Sequence, residues 1–388
     1  MDSSPTPLCR QLTEVAARVV EALPDPDLRG AFLFGSAAWG DADEASDIDL
    51  MVLVDRPAQY REVRRVRVAE LLGPQAGPAP RFADLDRVSA QRFAAAAAAG
   101  SWAQRIVRCV ILKDVDGWLA AIRDQVTQAH RDPLAVTVRF SERRHAADTH
   151  RTARWRALQQ GDAPLAALHG RLALQEAGAG LIEVGRDRVS TTHFVESAER
   201  ALLGMGAGDL SPAFARGLAL GGDREPRRPA GPAPAARQPD GVARALAAYL
   251  TLAETLRRWM ADPALAGQFS GEDRAWADFT YAEETYDEIA HKVGACMAFG
   301  RIRALQYYLD SLLLITAGAN LSKVLALRAT GSARRLPVTE FHAALRAEPE
   351  LFTAWVDGLR LGEPEARGTD ALIGRLIGVG EAALARTE

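Results

Sequence analysis

Two short segments hold the residue types that can do chemistry. Gly35-Ser36 follows an apolar run, Ala31-Phe-Leu-Phe34, and eleven residues after Ser36 an Asp47-Ile48-Asp49 triplet opens a second apolar run. A glycine lets the backbone come close to a ligand. A serine at a helix start offers a hydroxyl and an N–H where phosphate is favoured. On a strand the side chains alternate, so Asp47 and Asp49 point the same way, about 7 Å apart at Cα, while Ile48 and Leu50 turn to the core. Hard oxygen ligands at that spacing suit Mg²⁺, which normally binds substrate phosphates as well. The pattern therefore predicts a site for a nucleoside triphosphate with magnesium, serving attack on a phosphorus centre. Such chemistry wants a third carboxylate, to complete a second metal site or to take the proton of the attacking hydroxyl. Asp84 and Asp86 share one face of a further expected strand. Asp84 is the choice, because it lies deeper in Phe82-Ala-Asp-Leu85, and Asp86 stays open as the alternative.

The elements that must position these groups are legible in outline. Leu8–Leu23 reads as an amphipathic helix with Leu12, Val15, Val19 and Val20 on one face, ended by Pro24 and Pro26. Strands are expected at 31–34, 47–54, 81–88 and 110–113, and an Arg-rich helix over 60–72. In that helix Arg61, Arg64, Arg65 and Arg67 would be a solvated face with Val63, Val66 and Leu71 buried. Gly73–Pro80 reads as a linker. After about residue 116 helical patterns dominate: 117–130, 141–160, 163–183, 190–204, 212–219, 241–261, 275–298, 300–317, 338–346 and 350–360. They are interrupted by a Pro-rich loop at 221–241. The expected fold class is α+β, a small mixed-sheet domain over 1–116 followed by a larger all-helical domain over 117–388.

Strand, Gly-Ser, spacer, Asp-x-Asp and a later strand with an acid resembles the DNA polymerase β-like nucleotidyltransferase superfamily. Phe34-Gly-Ser-Ala-Ala-Trp-Gly-Asp41 followed by Ser46-Asp-Ile-Asp-Leu50 is similar to the antibiotic (aminoglycoside and lincosamide) nucleotidyltransferases and to minimal nucleotidyltransferases of antitoxin systems. The resemblance covers the first third of the chain. It implies that Gly35 and Ser36 contact the triphosphate and that Asp47 and Asp49 bind Mg²⁺. It places Asp84 as third acid and base, with Asp86, Glu283, Glu284 or Glu288 as alternatives for the base. It further implies transfer of a nucleoside monophosphate from an NTP, ATP first, to a hydroxyl of a small molecule. Modification of a partner protein, or nucleotide binding without catalysis, are the rival readings.

Composition narrows the partners. The chain of 388 residues has a net charge of −3 and a pI near 6.2, so there is no global basic field for nucleic acid. Nearly all basic residues are arginine; the only lysines are Lys113, Lys292 and Lys323. Three scattered cysteines suggest neither a disulfide framework nor a zinc motif. Leu305–Ala317 is too short to span a bilayer and carries Asp310, and no basic-then-apolar leader opens the sequence, so a cytoplasmic protein is expected. A few of Arg61, Arg64, Arg65 and Arg67, or Arg105 and Arg108, are candidates to reach the triphosphate. Two Glu-x-x-His pairs, Glu142/His145 and Glu288/His291, read as charged residues of solvated helix faces, with Asp287 and Lys292 beside the second pair. Trp276, Phe279, Tyr281 and Tyr286 form an aromatic group beside Glu283 and Glu284, read as core packing rather than a substrate platform.

Overall fold

A computed structural model describes residues 6–43, 46–73, 82–218, 220, 240–362 and 368–386. The chain divides into two compact units: Met1–Asp132 with Ser270–Ala295, and Pro133–Phe269 with Cys296–Glu388. This partition differs from the division expected at residue 116. The helix after the last strand packs on the sheet, and a distant helical segment joins the first unit.

The first unit is built on a five-stranded mixed sheet. Its strands are β1 Leu28–Phe34, β2 Ile48–Val54, β3 Arg61–Arg67, β4 Phe82–Ser89 and β5 Val110–Asp114, in the order β3-β4-β2-β1-β5. β2 runs parallel to β4, and the other neighbours are antiparallel. Strand alternation splits β2 between two cores. Ile48, Leu50, Val52 and Val54 face Leu12, Val15, Val19 and Val20 of helix α1 (Pro7–Ala22). Met51 and Leu53 face Phe93, Ile106, Leu119 and Val126. These come from α4 (Ala90–Ala98), α5 (Ala103–Ile106) and α6 (Trp118–Arg131), while the short helices α2 (Gly35–Trp39) and α3 (Val68–Leu72) follow β1 and β3. α1 begins as its sequence dictates, with Thr6 capping the Cys9 N–H at 3.1 Å and Pro7 in the first turn. Burial on both faces explains why β2 reads as a nearly unbroken apolar run after Asp49.

One expected element is corrected. Residues 60–72 do not form an Arg-rich helix: 61–67 is the edge strand β3, and only Val68–Leu72 is helical. Arg61, Val63, Arg65 and Arg67 share a strand face, and β4 opposes them with acids; Val63 pairs with Asp86 and Arg65 with Asp84. Cross-strand pairing of opposite charges outweighs the helical reading of the same residues. The arginines are not a uniformly solvated face either, since the Arg65 side chain is only 6% exposed.

The second unit is helical. Its long elements include Pro133–Gln159, Ala163–Val184, Asp240–Met260 and Thr369–Ala385, around a core with Phe140, Phe194, Phe214 and Ile373. The expected loop at 221–241 lies outside the described residues except for Asp240 and Gly241, which begin a helix. The late apolar stretch is longer than expected. Ile302–Thr330 is a continuous helical run of 29 residues, long and apolar enough by length and composition to cross a membrane. Half of its apolar window is nevertheless buried inside the protein. Asp310 within it accepts from Gln306 at 2.8 Å and from Arg360 at 2.7 Å, the pairing required of a charge in a protein core.

Candidate active site

The sheet brings the expected residues together at one end. β1 ends at Phe34, directly opposite Asp49, and the chain turns at Gly35. Gly35 has φ +71°, and a Cβ added there would lie 1.8 Å from Asp49 Oδ2. The glycine is therefore required twice, by its left-handed backbone and by the carboxylate against it. Ser36 is buried in α2, where its carbonyl accepts from the Gly40 and Asp41 N–H groups at 3.0 and 3.2 Å. On the other side of β2, parallel pairing sets Asp84 of β4 opposite Asp49. Ligand oxygens of Asp47, Asp49 and Asp84 all lie within 4.8 Å of one another. Asp86 turns to other partners: Arg61 forks it at 3.0 Å through both Nε and Nη2, and Arg105 donates to it at 2.7 Å. The structure thus groups Asp84, not Asp86, with the Asp pair. Arg105 is committed to Asp86, and Arg108 lies over the Trp39 ring of α2 at 4.7 Å.

Three further charged residues complete the cluster, among them Glu288, one of the alternatives for the base. Arg65 forks Asp84 with two hydrogen bonds of 2.6 Å, ion-pairs with Glu288, donates to Thr285 at 3.2 Å and stacks on the Phe279 ring at 4.8 Å. Lys292 lies 3.2 Å from Asp47 Oδ2 and pairs with Glu288 one helical turn before it. Glu288 and Lys292 come from the helix Glu283–Ala298, and Phe279 from Gly271–Tyr281. Glu288 and Lys292 were read as part of a solvated helix face; their side chains are 2% and 9% exposed, so that reading is corrected. The first pair fits its expectation, since Glu142 and His145 are both exposed. Of the other acids of that segment, Glu283 is exposed and Glu284 lies near Arg67. The side chains of Trp276 and Tyr281 fall outside the described residues, and Phe279 serves as the platform for Arg65.

Burial sets the electrostatics. It would raise the Asp47 carboxyl, but the Lys292 ammonium, the Arg65 guanidinium and a hydrogen bond with Glu288 hold it down to about 2. Burial dominates at Asp84, which moves up despite Arg65, with Asp47 adding to the rise. Burial also pushes Glu288 up to about 7, against Lys292 and Arg65. Of the six side chains Asp47, Asp49, Asp84, Glu288, Arg65 and Lys292, four are carboxylates and two are cations, so full ionisation leaves a net charge of about −2 on the cluster, within which Asp47, Asp49 and Asp84 form a convergent, oxygen-only donor set. That charge and those donors fit a divalent cation of the Mg²⁺ type.

Two outcomes follow. Gly35→Ala should add about 1–2 kcal/mol of left-handed strain and displace Asp49, lowering the melting temperature; an unchanged melting temperature would show that the turn relaxes freely. Glu288 also gives a pH signature. Its folded-state pKa lies above its unfolded value, so its contribution is complete below about pH 4.5 and is lost as pH rises through about 7. Urea midpoints of wild type minus Glu288→Gln should fall across that window, and a flat difference would contradict the buried assignment.

Comparison with known proteins bears on part of the site. The sequence profile of the family described as "Polymerase beta, Nucleotidyltransferase" matches residues 20–73, a stretch that contains Gly35, Ser36, Asp47 and Asp49 but not Asp84. No curated protein matches the chain. Among solved structures, a nucleotidyltransferase-like protein from Exiguobacterium sibiricum 255-15 aligns over 91% of each chain at 11% identity with a TM-score of 0.30, too low to transfer geometry. The matched stretch, residues 20–73 with β1, the Gly35-Ser36 turn, β2 and the Asp47–Asp49 pair, belongs to a nucleotidyltransferase domain of the DNA polymerase β-like superfamily.

Proposed function

We propose that the protein transfers a nucleoside monophosphate from an NTP, ATP first, to a hydroxyl of a small molecule and releases pyrophosphate. The observation that carries this reading is the convergence of Asp47, Asp49 and Asp84 beside the Gly35 turn. Asp47, Asp49 and Asp84 would hold Mg²⁺, which supplies charge neutralisation of the triphosphate when bound. Gly35 and Ser36 receive the triphosphate in this account, because only a residue without a side chain leaves room beside Asp49. Asp84 accepts the hydroxyl proton, the hydroxyl oxygen forms the new bond to the α-phosphorus, and the bond to the pyrophosphate oxygen breaks. Burial makes Asp84 more basic than an ordinary aspartate, which favours that role. Arg65 fixes the orientation of Asp84 through its fork, so the acid that closes the cation site and takes the proton is held in place. Selection of the acceptor is assigned to the helical unit.

The test is pyrophosphate release with each of the four NTPs and Mg²⁺ against hydroxylated acceptors, beginning with aminoglycosides and lincosamides, using α-labelled NTP. Label on a small molecule is the expected result. Label on a protein would replace this reading with the protein-modifying one. NTP binding without pyrophosphate release from any acceptor would leave a nucleotide-binding protein.

A further inference from the structure

Asp47 is met by an ammonium from a residue 245 positions away in sequence. Lys292 Nζ lies 3.2 Å from Asp47 Oδ2, one of the carboxylates that converge with Asp49 and Asp84. Lys292 is itself buried and shares its charge with Glu288 on the same helix. The other cation of the cluster is anchored differently. Arg65 holds both oxygens of Asp84, pairs with Glu288, donates to Thr285 and lies on Phe279, while its distance to Asp47 Oδ2 is 3.9 Å. Its rigid fork is committed there by four polar contacts, whereas a lysine is a point charge on a flexible stem that can withdraw.

A divalent ion arriving alone at Asp47 meets this positive charge in a buried setting, where screening is weak. An ion arriving with a triphosphate brings negative charge that can take the ammonium over. We propose that Lys292 is a tethered counter-cation on Asp47: it opposes binding of a bare divalent ion and is drawn off by the triphosphate, so that the site selects the metal–nucleotide complex over free metal. The inference rests on the reading of Asp47, Asp49 and Asp84 as the metal-binding set. Lys292 acts as a positioning residue whose effect appears in metal affinity, before any chemistry.

Mn²⁺ titration of the full chain by electron paramagnetic resonance, with and without a non-hydrolysable ATP analogue, separates the possibilities. Lys292→Gln should bind bare Mn²⁺ roughly tenfold or more tightly than wild type, and the analogue should strengthen Mn²⁺ binding more in wild type than in the variant. Equal or weaker binding of bare Mn²⁺ by Lys292→Gln, in a protein whose Mn²⁺ binding is lost in Asp49→Asn, overturns the inference and leaves the metal site standing. Mn²⁺ binding indifferent to Asp49→Asn overturns both. A wild-type measurement covers the case in which the variant does not fold. The chain has only three lysines, so acylation of Lys292 by an amine-specific reagent is readily resolved by mass spectrometry from that of Lys113 and Lys323. Saturating bare Mn²⁺ should raise the Lys292 acylation rate several-fold relative to the other two, and an unchanged rate overturns the inference.

Discussion

Asp49→Asn is expected to reduce nucleotidyl transfer by roughly 10³-fold or more, the equivalent of about 4 kcal/mol of lost transition-state stabilisation. The substitution keeps shape and removes charge. Asp49 stands between the Gly35 turn and Asp84, opposite Phe34 on one side and Asp84 on the other. Its neighbours Ile48 and Leu50 are fully buried on the opposite face, so the strand is held independently of the carboxylate. Stability should therefore change little while transfer disappears. Steady-state pyrophosphate release alongside thermal unfolding checks this, and full activity in a folded variant would remove Asp49 from the mechanism.

Arg65→Ala is expected to have the largest effect on stability, about 3–5 kcal/mol, because it removes one partner from a buried ionic cluster. Asp84 and Glu288 would then be buried carboxylates without their guanidinium. Arg65 is itself held firmly protonated: burial works against its charge, but Asp84 and Glu288 outweigh it. The loss should shrink at acidic pH, where Glu288 and Asp84 take up protons and need no counter-charge. Denaturant unfolding at pH 5 and pH 8 reads this directly. A loss under 1 kcal/mol, or one equal at both pH values, would mean that the cluster is better solvated than its burial indicates.

Gly35, Asp47, Asp49 and Asp84 were legible in the sequence because their information is local. A turn glycine, a period-two pair of acids and two apolar strands fix their positions within a few dozen residues. Asp84 was preferred to Asp86 for its depth in an apolar run, but it is the parallel register with β2 that sets it beside Asp49, and Asp86 is the more buried of the two. β3 was misread because Arg61, Val63, Arg64, Arg65, Val66 and Arg67 satisfy a helical face as readily as an alternating one. What decides it is the row of acids on β4, which is not local. Lys292 was missed as a site residue, and Glu288 stood only as one of several alternatives for the base, for the same reason: the cluster is not local, and Arg65 meets its Thr285 partner 220 residues away. One signal was available: in a chain whose cations are almost all arginine, a lysine four residues after Glu288 on a helix is an exception with a chemical use.

In the proposed reaction Asp47, Asp49 and Asp84 hold the cation of a metal–nucleotide substrate. Anomalous diffraction from crystals grown with Mn²⁺ and a non-hydrolysable ATP analogue tests it most directly. A manganese peak coordinated by those three carboxylates, with the triphosphate against Gly35 and Ser36, is the expected result. Nucleotide and manganese bound away from the three carboxylates would contradict it.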